Sequence, residues 1–198
     1  MLFRSEILKS LESSQASVRF AAAYALGRLR AAAADAALEK AADDADPFLS
    51  AIASWARARI RPDDKPLVKK AVTKLRAGLA SPKPSVQSAS ISALSDLTGS
   101  IDDEEEKKLA KEFAGLLDSP EPGVRMTAGA ALVRQGPLAV DAVEEALAVP
   151  ATRSAAAEIL ASIGPAAKAA ADSLIASLSD ADPTHRGDAA VALGAIGP

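Results

Sequence analysis

Apolar side chains recur along the chain at the spacing expected of amphipathic helices. The two clearest stripes consist of Val68, Val72, Leu75 and Leu79, and of Leu109, Phe113, Leu116 and Leu117. Residues three and four positions apart share one face of an α-helix, so each stripe would be buried while the opposite face stays polar. The pattern predicts twelve helices, at 2–13, 16–29, 32–43, 47–60, 65–80, 84–98, 103–118, 122–135, 138–148, 151–163, 166–179 and 183–196.

The twelve predicted helices form six pairs that repeat along the chain. Each pair has an anchor residue near the start of its second helix, and these anchors are Val18, Leu49, Val86, Val124, Thr152 and His185. The anchors are 31, 37, 38, 28 and 33 residues apart. A period of about 33 residues is typical of stacked helical pairs, in which each pair buries its apolar face against its neighbours.

Prolines fall at two fixed positions of this repeat. Two residues before an anchor stand Pro47, Pro84, Pro122, Pro150 and Pro183, and thirteen residues after an anchor stand Pro62, Pro137, Pro165 and Pro198. Proline suits the first turn of a helix, so the first set should open second helices and the other set the next first helices. Asp46 and Asp182 should cap the helices that follow them. Glycines such as Gly136 and Gly164 should end second helices.

The chain resembles the HEAT repeat, and more closely the short bacterial form also found in phycobilisome-lyase-type proteins. The clearest matches are 18–29, VRFAAAYALGRL, and 182–197, DPTHRGDAAVALGAIG. The resemblance covers essentially the whole chain and implies an all-α fold, a right-handed α-solenoid of about six antiparallel helix pairs in a HEAT-like superhelix. It implies a single domain over 1–198 with repeats at approximately 1–30, 31–61, 62–99, 100–136, 137–164 and 165–198. Arrays of this family mostly serve as binding scaffolds.

The resemblance also assigns a role to an arginine that follows several anchors. This arginine is present at Arg19, Arg125, Arg153 and Arg186, and is replaced at Ser50 and Gln87. In the family it commonly pairs with an acid in the turn between the two helices of a pair. Asp118 and Asp180 are the candidates, and the role is structural because a partly buried charge needs a partner.

Composition narrows the range of functions. The net charge is −3 and there is no cysteine, so neither a general attraction to nucleic acid nor thiolate chemistry is expected. No uninterrupted apolar stretch approaches the ~18 residues of a membrane span, so we predict no membrane insertion and expect a cytoplasmic protein.

We find no phosphate loop, nucleophilic triad or paired catalytic carboxylates, and predict no enzyme, no catalytic residue and no cofactor. The lone His185 is a structural residue, and we predict no metal site.

Positions two, six and ten after each anchor should line the concave side of the array, since they are four residues apart on the second helix. We call these positions the groove row: Phe20, Tyr24 and Arg28; Ala51, Trp55 and Arg59; Ser88, Ser92 and Asp96; Met126, Ala130 and Arg134; Ser154, Glu158 and Ser162; Gly187, Val191 and Ala195. Aromatic residues flanked by arginine are typical interface anchors. We therefore predict a partner-binding site at Phe20, Tyr24, Arg28, Trp55, Arg59 and Met126. Phe20, Tyr24 and Trp55 should lie close together and be at least partly exposed.

Two charged runs suggest further interpretations. A basic run over 57–76 holds Arg57, Arg59, Arg61, Lys65, Lys69, Lys70, Lys74 and Arg76. It is either a site for phosphate or acidic peptide or a solvated face diluted by Asp63 and Asp64. The acidic run 102–106 suits the start of a helix, because carboxylates there complement the helix dipole.

These patterns favour a non-enzymatic scaffold that binds a protein or peptide along the concave groove. One alternative is a phycobilisome-lyase-like subunit that holds a planar chromophore on Phe20, Tyr24 and Trp55. Another is nucleic-acid backbone binding through the basic run 57–76, against which the acidic Asp96 and Glu158 of the groove row argue.

The last predicted repeat should present an uncovered apolar end. Leu193 and Ile196 lie in a second helix that no further repeat follows, beside Val191, Ala192 and Ala195. We expect the array to be part of a longer protein or to pack against another chain through this C-terminal face, because exposed apolar ends tend to associate or fray.

Overall fold

The computed structural model describes residues 2–198, and the described chain consists of helices and loops without a β-strand. Twelve α-helices follow one another: α1 Leu2–Ser10, α2 Ala16–Arg28, α3 Asp35–Ala41, α4 Pro47–Ile60, α5 Lys65–Leu79, α6 Pro84–Ser95, α7 Asp103–Gly115, α8 Pro122–Gln135, α9 Val140–Leu147, α10 Arg153–Ile163, α11 Ala171–Ser177 and α12 Pro183–Ile196. Short 3-10 segments at 32–34, 116–118, 136–139 and 164–170 extend four of the pairs. All twelve predicted helices are present.

In most repeats, the helices begin at the prolines and capping acids that the sequence predicted. Pro47, Pro84, Pro122 and Pro183 occupy the first turns of α4, α6, α8 and α12. The Asp46 carboxylate accepts hydrogen bonds from the main-chain N–H groups of Phe48 and Leu49, and the Asp182 carboxylate accepts one from Thr184. Both predicted caps are therefore confirmed, and each satisfies N–H groups that lack a partner inside the helix.

Two prolines do not open helices as predicted. Pro150 lies in the turn before α10, whose first residue is Arg153. Pro62 lies in the loop before α5, where Pro66 occupies the first turn and Asp64 supplies the cap. α10 begins one residue after its anchor Thr152, whereas α4, α6, α8 and α12 begin two residues before theirs, so Pro150 is left in the turn.

Glycine ends α8, α10 and α12. Gly136, Gly164 and Gly197 have positive φ angles of 59°, 69° and 77°, a region that residues with a Cβ adopt only at a cost. Pro137 and Pro165 then open 3-10 segments that lead into α9 and α11. The predicted glycine and proline signal between pairs is thus confirmed.

The chain divides into two compact units, Met1–Ile101 and Asp102–Pro198. In the first, α4 packs against α2, α3 and α5, and ten consecutive residues, 49–58, are buried. In the second, α10 packs against α8, α9 and α12, and α11 packs against α12. Second helices of neighbouring pairs therefore contact each other within each unit, as stacked repeats require. The single domain over 1–198 stays a prediction.

The turns inside the pairs are built alike. Arg19, Arg125 and Arg186 each donate from Nη1 to the carbonyl oxygens six and five residues earlier, at 2.7–3.3 Å. Arg153 instead pairs with Asp180. The structural role predicted for these arginines holds, but Arg125 binds main-chain carbonyls, so the predicted pairing with Asp118 is wrong.

Among residues 2–198, one segment has the length and composition of a membrane span, Arg153–Ser177. This segment contains two separate helices of the repeat, α10 and α11. The chain is interrupted between them, because Gly164 has a φ of 69° and Ala167 departs from helical geometry. The longer of the two pieces, α10, has 11 residues, well short of the ~20 that a spanning helix needs.

Candidate functional site

Four aromatic rings form a continuous stack in the first unit, which we call the aromatic row: Phe48, Phe20, Tyr24 and Trp55. Ring centroids lie 4.7 Å apart for Phe48 and Phe20, 6.3 Å for Phe20 and Tyr24, and 5.1 Å for Tyr24 and Trp55. The planes are within 20° of parallel. The predicted proximity of Phe20, Tyr24 and Trp55 is confirmed. Phe48, which lies off the groove row, was missed.

Trp55 is not a surface residue, and the prediction that it is partly exposed is wrong. Its exposed fraction is 0%, whereas Phe20 and Tyr24 are half-buried. Gly27 on α2 makes this burial feasible, because a Cβ built there would lie 2.5 Å from the Trp55 ring and 2.9 Å from the Cα of Ala56. The missing side chain lets α2 and α4 approach closely, and the indole fills the space beside Gly27. Trp55 therefore belongs to the core rather than to a contact surface.

The two predicted binding arginines of this unit are already engaged. The guanidinium groups of Arg28 and Arg59 lie 3.2 and 3.1 Å from the same carboxylate oxygen of Asp96, the residue that follows the last turn of α6. Arg59 also covers the Trp55 ring, at 5.6 Å from its centroid. Their charges serve to join α2, α4 and α6, so the predicted role of Arg28 and Arg59 as partner contacts is not supported by their placement.

The second unit presents an open groove between α8 and α10. Its volume is about 610 Å³, and its lining residues are Leu117, Pro122, Arg125, Met126, Gly129, Ala130, Val133, Ala151, Ser154, Ala155, Glu158, Ile159 and Ser162. Met126, the remaining predicted site residue, has an exposed fraction of 74%. The lining includes the small residues Gly129, Ala130, Ala151 and Ala155 as well as the buried Leu117 and Ile159. A ligand side chain could approach the helix backbones closely where the side chains are small.

The groove row has the predicted phase in this unit. Met126, Ala130, Glu158 and Ser162 are exposed, and Gly187 and Val191 continue the exposed row on α12. In the first unit, Ala51 and Trp55 at the same positions of α4 are buried and Arg59 is half-buried. One sequence position thus has opposite exposures in the two units, depending on the size of the neighbouring side chains.

The basic run 57–76 does not form a continuous positive surface. Arg57 contacts Asp35 and Glu39, both at 2.9 Å, and Arg61 contacts Asp35 and Asp64. Burial opposes ionisation of Asp35, but hydrogen bonds and charge from Arg57 and Arg61 outweigh it and hold the pKa of the carboxyl below its ordinary value. Acidic partners thus neutralise the N-terminal part of the run.

Lys74, also in the basic run, points inward rather than to solvent. Its amine donates to the carbonyl oxygen of Ala42 at 2.6 Å and to the Ser50 hydroxyl at 2.7 Å. Burial lowers the pKa of this amine, and the nearby Lys70 adds to the effect. Lys74 therefore ties α5 to the turn between α3 and α4.

Within residues 2–198, no group of three or more His, Asp or Glu side chains is arranged to hold a metal ion. His185 is half-buried, with Nδ1 3.7 Å from Asp180 and 3.8 Å from Asp182. Asp102 in the acidic run accepts a hydrogen bond from the Glu105 N–H and begins α7. These charged side chains thus serve turns and helix starts.

Comparison with known proteins agrees with this architecture. Residues 18–44 match the family model described as PBS lyase HEAT-like repeat. A crystal structure of an engineered protein from the Northeast Structural Genomics Consortium superposes with a TM-score of 0.53 at 23% identity, over 99% of this chain and 97% of that chain. No curated protein sequence matches the chain.

Two further solved structures are similar. A computationally designed armadillo repeat protein for modular peptide recognition has a TM-score of 0.47 and 18% identity, over 97% of this chain and 99% of that chain. The complex of CpcE and CpcF of phycocyanin lyase from Nostoc sp. PCC7120 has a TM-score of 0.48 and 25% identity, over 98% of this chain and 76% of that chain.

The chain is an all-α protein of repeated helical pairs, in which residues 18–44 match the model of the PBS lyase HEAT-like repeat. The resemblance and the fold class predicted from the sequence are thereby confirmed.

Proposed function

We propose that the protein is a non-enzymatic scaffold that binds a peptide or a segment of another protein along the second helices of its repeats. The observation that carries the proposal is the groove between α8 and α10, where Met126 is 74% exposed beside small residues such as Gly129 and Ala130. Methionine adapts its shape to a partner and is frequent at binding surfaces. Apolar grooves rimmed by polar side chains commonly receive peptide segments.

The aromatic row offers a second, smaller contact surface. Phe20, Tyr24 and Phe48 are half-buried, so each has part of its surface available, while the buried Trp55 packs against Tyr24 at one end of the row. Partly exposed aromatic side chains on a rigid base fit the description of interface anchors. Phe20, Tyr24 and Met126 therefore stay in the proposed binding surface, and Trp55 leaves it.

The arrangement of the rings in the aromatic row does not favour the binding of a planar chromophore. A flat ligand would need a free ring face on which to stack. The faces of Phe20 lie against Phe48 and Tyr24, and the faces of Trp55 lie against Tyr24 and the Arg59 guanidinium. A lyase-like role would therefore require the stack to open, which the scaffold proposal does not.

Binding of a nucleic-acid backbone also has less support than peptide binding. Such binding needs several uncommitted Lys or Arg side chains along one surface. In the basic run, Arg57 and Arg61 contact carboxylates, and Lys74 donates to Ala42 and Ser50.

Selection from a random library of displayed 12-residue peptides tests the scaffold proposal. Peptides selected on the wild-type chain should lose most of their affinity for Met126→Glu, because the added carboxylate would be placed against their apolar side chains. The matched control is Val149→Glu, since Val149 is also apolar and exposed but lies outside the groove. Selected peptides that bind both variants as well as the wild type would contradict the proposed site.

A further inference from the structure

The groove between α8 and α10 combines an apolar surface with one uncompensated carboxylate. Glu158 lies at the middle groove-row position of α10 and is exposed. Within the described residues it has no ion-pair partner. On its own helix, Ser154 and Ser162 lie one turn to either side. Across the groove, Ala130 occupies the corresponding position of α8, and Val191 occupies that of α12.

The cations near the groove are used elsewhere. Arg125 directs Nη1 to the carbonyl oxygens of Ser119 and Pro120, at 2.7 and 3.2 Å. Arg153 pairs with Asp180 in the turn between α11 and α12. Arg134 is engaged in a contact of its own. The carboxylate of Glu158 therefore has surrounding hydroxyl and methyl groups but no cation to balance it.

We infer that the groove selects a peptide segment carrying one basic residue among small apolar residues, with its Lys or Arg placed against Glu158. The apolar residues of the segment contact Met126, Ala130 and Val133, and the cation supplies the charge that the groove lacks. A hydrogen bond to a carboxylate is stronger when its donor is also charged, and arginine can make two such bonds in parallel. This inference rests on the proposed scaffold function and names the chemistry of its ligand.

Charge complementarity gives the interaction its selectivity. A second acidic residue at this point of the peptide would lie beside Glu158 and weaken binding, since like charges in contact repel. A neutral residue would leave the carboxylate beside apolar groups and partly dehydrated, which costs free energy. The preference for a cation therefore arises from penalties on the alternatives as well as from the new ion pair.

The test uses the peptides selected on the wild-type chain, each resynthesised with a fluorescent label. Sequences should be enriched in Lys or Arg at one position. Changing that residue to Gln should weaken binding to the wild-type chain about two- to fivefold, as expected for a partly exposed ion pair. The same change should have no effect on binding to Glu158→Gln, because the partner charge is then already gone. Asp141→Asn is the matched control, since Asp141 is an exposed acid on α9 outside the groove.

The outcomes separate this inference from the function on which it rests. If no selected peptide depends on Met126, the scaffold proposal fails at this groove. If peptides depend on Met126 but show no basic position, or lose the same affinity on Lys-to-Gln exchange with wild type and Glu158→Gln, only the inference about Glu158 is overturned.

Discussion

At the residue scale, the exposure of a side chain depended on its neighbours more than on its position in the repeat. Trp55 and Met126 occupy groove-row positions, yet one is fully buried and the other is 74% exposed. Helical spacing predicted which residues share a face, and Phe20, Tyr24 and Trp55 do lie together. It could not predict burial, because burial of Trp55 depends on the missing Cβ of Gly27 on another helix.

Trp55→Ala should therefore destabilise the first unit strongly. Truncating a buried tryptophan typically costs about 3–5 kcal/mol, from lost apolar burial and the cavity left behind. Urea unfolding followed by circular dichroism measures the effect. A change within the fitting error would instead support the partial exposure of Trp55 that the sequence predicted.

Gly27→Ala tests the contact that allows this burial. The new methyl group would lie 2.5 Å from the Trp55 ring and 2.9 Å from a backbone atom of α4, so α2 and α4 must separate. Overpacking of this kind costs about 1–3 kcal/mol. Gly187→Ala is the control, since a Cβ on Gly187 in α12 meets no other atom within 4 Å. That change should raise the free energy of unfolding by about 0.5–1 kcal/mol, because alanine favours helix.

At the element scale, the sequence predicted the helices well because the signals that begin and end them are local. Asp46 and Pro47 act within the first turn of α4, and Gly136 adopts its positive φ within the turn that ends α8. Such signals need no knowledge of the tertiary structure. Pro150 departed from the pattern because α10 begins only at Arg153, after the anchor Thr152, so this proline lies in the turn rather than in the helix.

Asp46→Ala should remove two hydrogen bonds at the start of α4 and lower the free energy of unfolding by about 0.5–2 kcal/mol. Glu121→Ala provides the comparison, because Glu121 holds the same position before Pro122 but makes no capping hydrogen bond. Unfolding curves of both variants in urea give the difference. Equal losses would mean that the cap at α4 adds nothing beyond helix propensity.

At the scale of the whole molecule, the last helix pair differs from the pairs before it. Leu178 in the turn after α11 corresponds in the repeat to Leu79 and Leu117, which are buried, yet it is 40% exposed. Val191 and Ile175 are 68% and 55% exposed. The prediction of an apolar end was right for Val191 and Ala195 but wrong for Ala192 and Ile196, which are buried. Those two side chains face the other helices of the second unit rather than the free end of α12.

Self-association through the exposed apolar side chains of the last pair, Ile175, Leu178 and Val191, is the expected consequence. Exposed apolar patches of this kind are rarely left in contact with water when a partner surface is available. Sedimentation of the 198-residue chain over a range of concentrations should show reversible association. Val191→Lys should suppress it, because a charge would have to be buried in the contact. Val149→Lys, on an exposed residue between α9 and α10, should not.

Amide hydrogen exchange offers an independent measurement, since α12 should exchange faster than α6 in dilute solution and slow down as the concentration rises. A chain that stays monomeric at every concentration, with α12 protected as well as α6, would mean that the last pair is stable with its apolar side chains in water.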